Sequence, residues 1–244
     1  MKRAVLLFGF IIVFANVVFA NTYDISQISQ AKLVADYSVT TKVDQMDTVI
    51  FGSYYQNNSN NKEPIEWIVL DRQDGKTLLL SKYILDYKCY NDAHQIISWE
   101  NCTLRYWLNT AFLNTAFNNS EQAIIETTNV INNRSAEYGP EGGSNTIDKV
   151  FCLSVDEVKK YFNQPKMDRN NKRAEAKETI YANGVENTFL YMGKHSENNY
   201  FWLRTPGRYN DYAATVRDIG SIHEHGFIAS SWAMGVRPAI WVLY

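Results

Sequence analysis

The sequence predicts an α+β protein in which strands occupy both ends of the folded region and helices lie between them. Runs rich in β-branched and aromatic residues occur at residues 47–81 and again at 200–244, and such runs are typical of strands. An apolar stripe with helical spacing separates them at residues 104–112. The closing "GVRPAIWVLY" is apolar on both alternating faces, which is typical of a strand in the middle of a sheet. Elements grouped in this way favour α+β over an alternating βαβ order.

The N-terminal residues have the pattern of a secretory signal peptide. Lys2 and Arg3 precede the almost wholly apolar run Ala4–Phe19, and Ala20 is a small residue at the expected cleavage position. An uncleaved membrane anchor is the alternative, but the run is shorter than the roughly 20 residues that span a bilayer. We therefore expect cleavage after Ala20 and no membrane span in the remaining chain. The expected location is secreted, periplasmic or at the cell surface.

Length and composition favour one folded domain. The chain has 244 residues, which we divide into a signal peptide (1–20), a lead segment (21–46) and a single domain (47–244). Apolar residues make up 45% and aromatic residues 14%, which is enough to fill a sizeable core. The net charge of −2 provides no basic face, so nucleic acid is not a predicted partner.

The first predicted elements are a strand at 47–56 and a hairpin. Residues 65–71 form its first strand, Asp74-Gly75 is a tight-turn pair, and the return strand begins at Thr77. Ser98 is predicted as the N-cap of the helix that follows. The apolar stripe of this helix consists of Leu104, Trp107, Leu108, Ala111 and Phe112. A second short helix is predicted to begin at Asn119 or Ser120.

A third helix and the closing strands follow. Ser154 and Glu157 have the S-x-x-E spacing of a capping box, which predicts a helix start after the strand around Cys152. Residues 163–187 are polar and rich in asparagine, and we interpret them as a long surface segment. The remaining predicted strands are 200–206, 212–222, 226–230 and 235–244.

The chain has three cysteines, Cys89, Cys102 and Cys152. The first two flank a polar loop, and a disulfide between them is possible in an exported protein, where it would contribute roughly 3 kcal/mol. Cys152 lies in an apolar run and is predicted to be a buried free thiol. Because the count is odd, the pairing stays open at this point. The cysteines and histidines lack the spacing of a structural zinc site, and we predict neither a metal nor a cofactor.

An ordered series of motifs runs from Val49 to Val242, including "FGSYYQ", "PIEWIVLD", "SWENCTLRYWLNTAFLNTAF", "DKVFCLSVDEVKKYF", "FWLRTPG" and "GVRPAIWV". This series resembles a group of secreted bacterial domains of unknown function. Its tail, W-L-R-[ST]-P-G followed by G-V-R-P-A, is also similar to the bacterial form of the C-type-lectin-like fold. The resemblance implies mostly antiparallel sheets, two or three helices, extensive loops, and a binding face between the late strands, about Gly207 to Gly235.

The same fold is shared by formylglycine-generating enzymes, which implies an oxidase as one possible activity. That oxidase uses a cysteine pair late in its chain. No cysteine follows Cys152 here, so the activity does not carry over to this sequence.

Two arginines lie among apolar residues in the late strands, Arg204 after "FWL" and Arg237 between Val236 and Pro238. We interpret both as structural, because a planar guanidinium with five donors can fix irregular loops and a buried charge is normally paired. Asp211 and Asp218 are the candidate partners. The alternative is that the arginines bind a ligand.

The late loops also carry the candidate ligand-binding side chains. Aromatic residues there can stack on sugars or anchor a protein partner, although burial in the core is the alternative. Two histidines separated by one residue share one face of a strand; a third metal ligand is not fixed by spacing. The candidates are Tyr209, Asn210, Asp211, Tyr212, His223, His225 and Trp232.

The leading functional prediction is non-catalytic recognition at or outside the cell envelope, with a glycan, a peptide or a protein as the ligand. One alternative is an enzyme of unassigned class. Ser230, His223 and Asp218 can be drawn as a catalytic set, but a nucleophile-elbow context is missing around Ser230. The other alternative is a structural protein of the envelope.

Overall fold

The computed structural model describes residues 22–24, 46–163, 170–186, 199–230 and 234–243. The predicted signal peptide at residues 1–20, most of the lead segment at 21–46, and the candidate ligand-binding residue Trp232 lie outside the described residues.

Two antiparallel-dominated sheets with short helices around them form the fold, so the predicted α+β class is confirmed. The first sheet has the order β1-β2-β3-β4-β13-β8, with β1 at Thr22–Asp24, β2 at Thr48–Tyr55, β3 at Lys62–Gln73, β4 at Lys76–Ser81, β8 at Val150–Phe151 and β13 at Ala239–Leu243. The second has the order β11-β10-β9-β12-β5, with β5 at Asp86–Lys88, β9 at Phe201–Pro206, β10 at Tyr212–Val216, β11 at Ile222–Ile228 and β12 at Met234–Val236. A small ribbon pairs β6 (Thr128–Val130) with β7 (Thr146–Asp148).

The helices are short and lie between the early and late strands. They are α1 (Thr103–Trp107), α2 (Leu113–Ala116), α3 (Asn119–Ile124), α4 (Val155–Tyr161) and α5 (Ile180–Glu186). A 3₁₀ turn at Trp99–Asn101 precedes α1, and a π-helical turn at Leu108–Phe112 joins α1 to α2. Among the described residues, no helix is long and apolar enough to cross a membrane.

Local signals predicted several elements correctly. Asp74 and Gly75 both have positive φ, 49° and 74°, in the turn between β3 and β4, as a tight two-residue hairpin turn requires. The capping box of α4 is present, with Ser154 and Glu157 bonded reciprocally. The last strand, β13, lies between β4 and β8, which explains why both of its faces are apolar.

The predicted helical stripe is interrupted by the π-helical turn. Leu104, Leu108 and Phe112 are buried as expected, whereas Ala111 is exposed. The wider turn changes the phase of the helix, so that Leu113 enters the core instead.

Asn109, in the π-helical turn, ties this helix to β8. Its amide donates to the carbonyls of Arg105 (3.1 Å) and Val150 (2.8 Å) and accepts from the backbone N–H groups of Lys149 (2.9 Å) and Val150 (3.1 Å). All of the hydrogen bonds that a carboxamide normally makes are therefore satisfied by neighbouring groups.

The predicted N-caps of the first two helices are wrong. Ser98 precedes the 3₁₀ turn and makes no capping hydrogen bond with its side chain. Cys102 is the N-cap of α1, where its Sγ accepts from the N–H of Arg105 at 3.4 Å. Asn118, not Asn119 or Ser120, caps α3 in a capping box with Glu121.

The predicted disulfide between Cys89 and Cys102 does not form, because all three cysteines are free thiols. Cys102 is committed to the N-cap of α1 and is buried there, and its Sγ donates to the carbonyl of Trp99 at 3.5 Å. The Sγ of Cys89 instead lies 3.7 Å from the carbonyl oxygen of Ser230. Burial raises the pKa of the Cys102 thiol to about 12. Cys152 is a buried free thiol, as predicted.

Arg204 lies in the interior and is 4% exposed. Its guanidinium binds both carboxylate oxygens of Glu157, at 2.5 and 2.9 Å. It also donates to the carbonyls of Cys152 (2.8 Å) and Ile131 (3.2 Å). Glu157 accepts a further bond from the N–H of Ser154, as part of the α4 capping box. One guanidinium thus connects β9, the start of α4 and the loop after β6.

The carboxylates expected to pair with Arg204 and Arg237 are engaged elsewhere, so that part of the prediction is wrong. The Oδ2 atom of Asp211 lies 3.0 Å from Nε2 of His94. The Oδ1 atom of Asp218 accepts from the N–H of Ile219. Both aspartates are close to the arginines in sequence but lie in turns at the ends of β10.

Arg237 is also buried, but it is held by carbonyl groups. Its donors bind the carbonyls of Ser81 (2.8 Å), Ala174 (3.3 Å) and Lys82 (3.5 Å). Among the described residues, no carboxylate forms an ion pair with this guanidinium. Burial lowers the pKa of Arg237 to about 9, because the charged form is poorly solvated in the core.

Glu157→Gln is expected to lower the free energy of unfolding by about 3 kcal/mol, because Arg204 would keep its burial and lose its counter-charge. Glutamine can still complete the capping box. Glu121→Gln is the matched control, since Glu121 occupies the same position in the α3 capping box, is half-buried like Glu157 and pairs with no arginine among the described residues. Its expected cost is below about 1 kcal/mol. Urea denaturation measures the change in the free energy of unfolding for both variants. Equal changes would show that the contact between Glu157 and Arg204 contributes no more than an ordinary capping box.

Thiol titration with a disulfide reagent tests the absence of the disulfide. In the native protein one thiol, that of half-buried Cys89, is expected to react readily, while buried Cys102 and Cys152 react slowly. After denaturation without a reductant, all three should react. Only one reactive thiol in the denatured protein would show that a disulfide forms.

Candidate functional site

A cleft of about 580 Å³ runs along β11, the edge strand of the second sheet. All seven residues of this strand, Ile222–Ile228, contribute to its lining. Tyr212 and Arg217 line it from the two ends of β10, and Glu137 and Tyr138 line it from the loop between β6 and β7.

The shape of the cleft depends on a bulge in β11. Ala213 faces Phe227 and Thr215 faces His223, so two steps along β10 correspond to four steps along β11. Gly226 lies in the bulge with a φ of +67°, and a Cβ atom there would lie 2.0 Å from the carbonyl oxygen of Ala213. The bulge therefore requires glycine for its conformation and for its close approach to β10.

The bulge holds the β9–β10 turn against β11. The carbonyl of His225 accepts from the N–H of Arg208 at 2.9 Å, and the carbonyl of Tyr212 accepts from the N–H of Gly207 at 2.8 Å. These bonds fix the turn that carries Tyr209 beside the imidazole of His225.

Six rings form what we call the aromatic cluster: Tyr138, Tyr209, Tyr212, His223, His225 and Phe227. His225 is at its centre, with ring centroids 6.0 Å from Tyr138, 6.0 Å from Tyr209 and 5.7 Å from Tyr212, all close to edge-to-face. His223 lies nearly parallel to His225 at 5.8 Å and contacts Phe227 at 5.0 Å. Edge-to-face geometry is favourable between rings, and it leaves ring surface exposed at the cleft.

Charged groups surround the aromatic cluster. The guanidinium of Arg208 lies over the rings of Tyr138 (5.9 Å) and Tyr209 (5.3 Å). Glu224 is buried, with its side chain 3% exposed, and its carboxylate binds the ammonium of Lys159 at 2.6 Å. Neither Arg208 nor Arg217 forms an ion pair with a residue in the described part of the chain.

Tyr200 directly precedes β9 and lies near two charged residues at one end of the cleft. Its ring lies 5.8 Å from that of Phe227. Burial raises the pKa of Tyr200, the charge of Asp218 raises it further, and the charge of Arg217 lowers it. Arg217 and Asp218 are therefore both close enough to act on the same phenol.

The structure brings four of the predicted ligand-binding residues together: Tyr209, Tyr212, His223 and His225. Two other candidates are used in the neighbouring turn. The carbonyl of Asn210 accepts from the N–H of Ile97 at 2.9 Å, and Asp211 pairs with His94. A role in binding stays a prediction for each of these residues.

Sequence reasoning missed Tyr138, Arg208 and Arg217. Tyr138 comes from a loop more than sixty positions before β9, and no local pattern links it to the late strands. The two arginines lie inside the predicted binding segment of about Gly207 to Gly235, and that position was the available signal. Within the described ranges, no three His, Cys, Asp or Glu residues are arranged to hold a metal ion.

Residues 74–243 match the protein-family model described as Domain of unknown function (DUF6273). The chain belongs to this family. Neither a curated protein nor a solved structure matches the chain. The DUF6273 match begins in the turn between β3 and β4, yet β2 and β3 pair with each other and β3 pairs with β4 in the first sheet. The sheet that supports the family region therefore extends beyond the match toward the N-terminus.

Gly226→Ala is expected to destabilise the protein by more than about 2 kcal/mol, because it combines a positive φ with a backbone clash. Gly75→Ala is the matched control. Gly75 has a similar φ of +74°, but a Cβ there would meet nothing within 4 Å, so we expect a cost of about 1 kcal/mol. Chemical denaturation compares the two variants, and equal costs would argue against the close approach between β10 and β11.

Proposed function

We propose that this DUF6273 protein is a secreted, non-catalytic recognition module that binds its ligand in the cleft along β11. The observation that carries the proposal is the convergence of the aromatic cluster on one open cleft from three separate segments, the loop between β6 and β7, the β9–β10 turn with β10, and β11. The signal-peptide pattern of residues 1–20 supports export.

Exposure of the rings supports binding over a purely structural role. Tyr209 is 49% exposed and Tyr138 is 38% exposed, although both lie within ring-contact distance of His225. Ring surface that is ordered and left open to solvent marks an interaction site. A concave site with rings and a few polar groups is typical of a ligand pocket.

The arrangement of Glu224 favours recognition over catalysis. A general acid or base needs a carboxyl group that can exchange a proton with the substrate. Although Glu224 belongs to the cleft wall, its buried carboxylate is bound by Lys159 at 2.6 Å. Turnover of a substrate panel that is abolished by His223→Ala would favour the enzyme alternative instead.

We also propose that the fold is of the C-type-lectin-like type. Antiparallel-dominated sheets, extensive irregular backbone and a candidate site formed by late strands support this proposal. Agreement of strand order between an experimental structure of a DUF6273 protein and that fold would test it.

The combined change Tyr209→Ala, Tyr212→Ala and His225→Ala tests the binding site. We expect it to weaken binding to any ligand found on glycan and peptide arrays by at least roughly a hundredfold, because three rings that each contribute about 1 kcal/mol or more would be lost. Tyr106→Ala is the control, since Tyr106 lies on α1 and is 73% exposed away from the cleft.

Circular dichroism and thermal unfolding should show that the triple variant stays folded. A folded triple variant that binds as tightly as the native protein would show that the ligand binds elsewhere.

A further inference from the structure

Two guanidinium groups favour an anionic ligand: Arg217 lines the cleft, and Arg208 lies beside it, next to the cleft residue Tyr138. Arg217 lies on the cleft wall directly after β10, and no described carboxylate pairs with it. A guanidinium presents five N–H donors in a fork that matches a carboxylate or a phosphate. Its donors need acceptors, which a bound ligand would supply.

Arg208, in the turn between β9 and β10, offers a second anion-binding group. Its guanidinium carbon lies 5.9 Å from the ring centroid of Tyr138 and 5.3 Å from that of Tyr209, within the distance of a cation–π contact. Such a contact supplies no acceptor to the five N–H donors of the guanidinium, which can therefore bind an acid group. Arg208 and the two rings therefore form a combined surface for stacking and for charge.

The acidic residues near the cleft do not cancel this preference. Glu224 is neutralised by Lys159. Glu137 is exposed on the rim, where solvent screens its charge. Asp218 lies beside Arg217 but uses one carboxylate oxygen to accept from the N–H of Ile219.

The bulge in β11 favours a ring-shaped ligand over an added peptide strand. An edge strand accepts another strand through a regular row of free backbone groups. In β11 the regular pairing with β10 is interrupted between His223 and Phe227, and the carbonyl of His225 accepts from the N–H of Arg208. The row of backbone groups along β11 is therefore irregular in the middle, while the rings of Tyr138 and Tyr209 are exposed and available for stacking.

We infer that the ligand of the cleft is an acidic saccharide, whose pyranose rings stack on the aromatic cluster and whose carboxylate or phosphate groups bind Arg217 and Arg208. This inference rests on the proposed function, and it adds the chemical class of the ligand. Stacking provides contact area with modest specificity, and the charged groups provide selection between acidic and neutral saccharides.

Matched acidic and neutral probes test the inference by titration calorimetry. The carboxylate arm uses an oligogalacturonate and its fully methyl-esterified form, which has the same rings without the charge. The phosphate arm uses a phosphorylated mannose oligosaccharide and its dephosphorylated form. We expect at least one acidic probe to bind roughly tenfold or more tightly than its neutral counterpart, with an affinity that falls as salt rises. The arm that responds identifies the acid group.

Arg217→Gln and Arg208→Gln should each reduce binding of the acidic probe by at least roughly tenfold and leave binding of the neutral probe unchanged. Arg72→Gln is the control, because Arg72 lies on β3 in the other sheet and pairs with Asp47. The control should bind both probes as the native protein does.

Failure of every acidic probe to bind more tightly than its neutral counterpart would overturn the inference. So would a peptide as the tightest ligand, or arginine variants that retain the preference for acid. The proposed function fails separately, when binding of whichever ligand is found survives the triple change at Tyr209, Tyr212 and His225.

Discussion

The ion pair between buried Arg204 and half-buried Glu157 is the interaction on which the second sheet and its cleft depend. β9, which carries Arg204, lies between β10 and β12, so a shift of β9 would move the strands that form the cleft. The guanidinium also holds the carbonyls of Cys152 and Ile131. In this fold the helices are short and the connections are long and irregular. Carbonyl groups in such connections lack partners in a helix or a sheet, so a buried guanidinium with several N–H donors can supply their hydrogen bonds.

A buried ion pair is a weak source of net stability, because desolvation offsets much of the attraction. In this protein the ion pair contributes mainly by selecting one arrangement of α4 and β9. Glu157 can bind Arg204 bidentately only when α4 starts at Ser154 and β9 has its observed register, since the capping box and the ion pair share one carboxylate. The start of a helix and the position of a strand are thereby fixed together.

Local signals in the sequence predicted much of the fold. The Asp74-Gly75 turn, the Ser154–Glu157 capping box and the central position of β13 each follow from turn chemistry or periodicity within a few residues. The partner of Arg204 could not be predicted in this way. Glu157 is 47 positions away in the chain, and no sequence pattern favours it as a partner over Asp211 or Asp218. The π-helical turn and the free Cys102 were missed for a related reason, since both are decided by contacts with distant segments, β8 and the core.

The candidate site was only partly predictable for the same physical reason. Tyr209, Tyr212, His223 and His225 lie in the β9–β10 turn and on the adjacent strands β10 and β11, so one short stretch of sequence contains them all. Tyr138 reaches the same rings from a loop outside that stretch. The depth of the cleft further depends on Gly226, and a single glycine in "HEHGF" does not indicate how far a strand bulges.

The position of β13 has a consequence for how the protein is made. β13 lies between β4 and β8 although it follows both in the chain, so the first sheet stays incomplete until β13 has been synthesised. Contacts that join distant parts of a chain form slowly. Because synthesis proceeds from the N-terminus, β4 and β8 are made before the strand that lies between them. The strand order therefore makes the pairing of β13 with β4 and β8 a late step in folding, after the earlier strands of the first sheet are available.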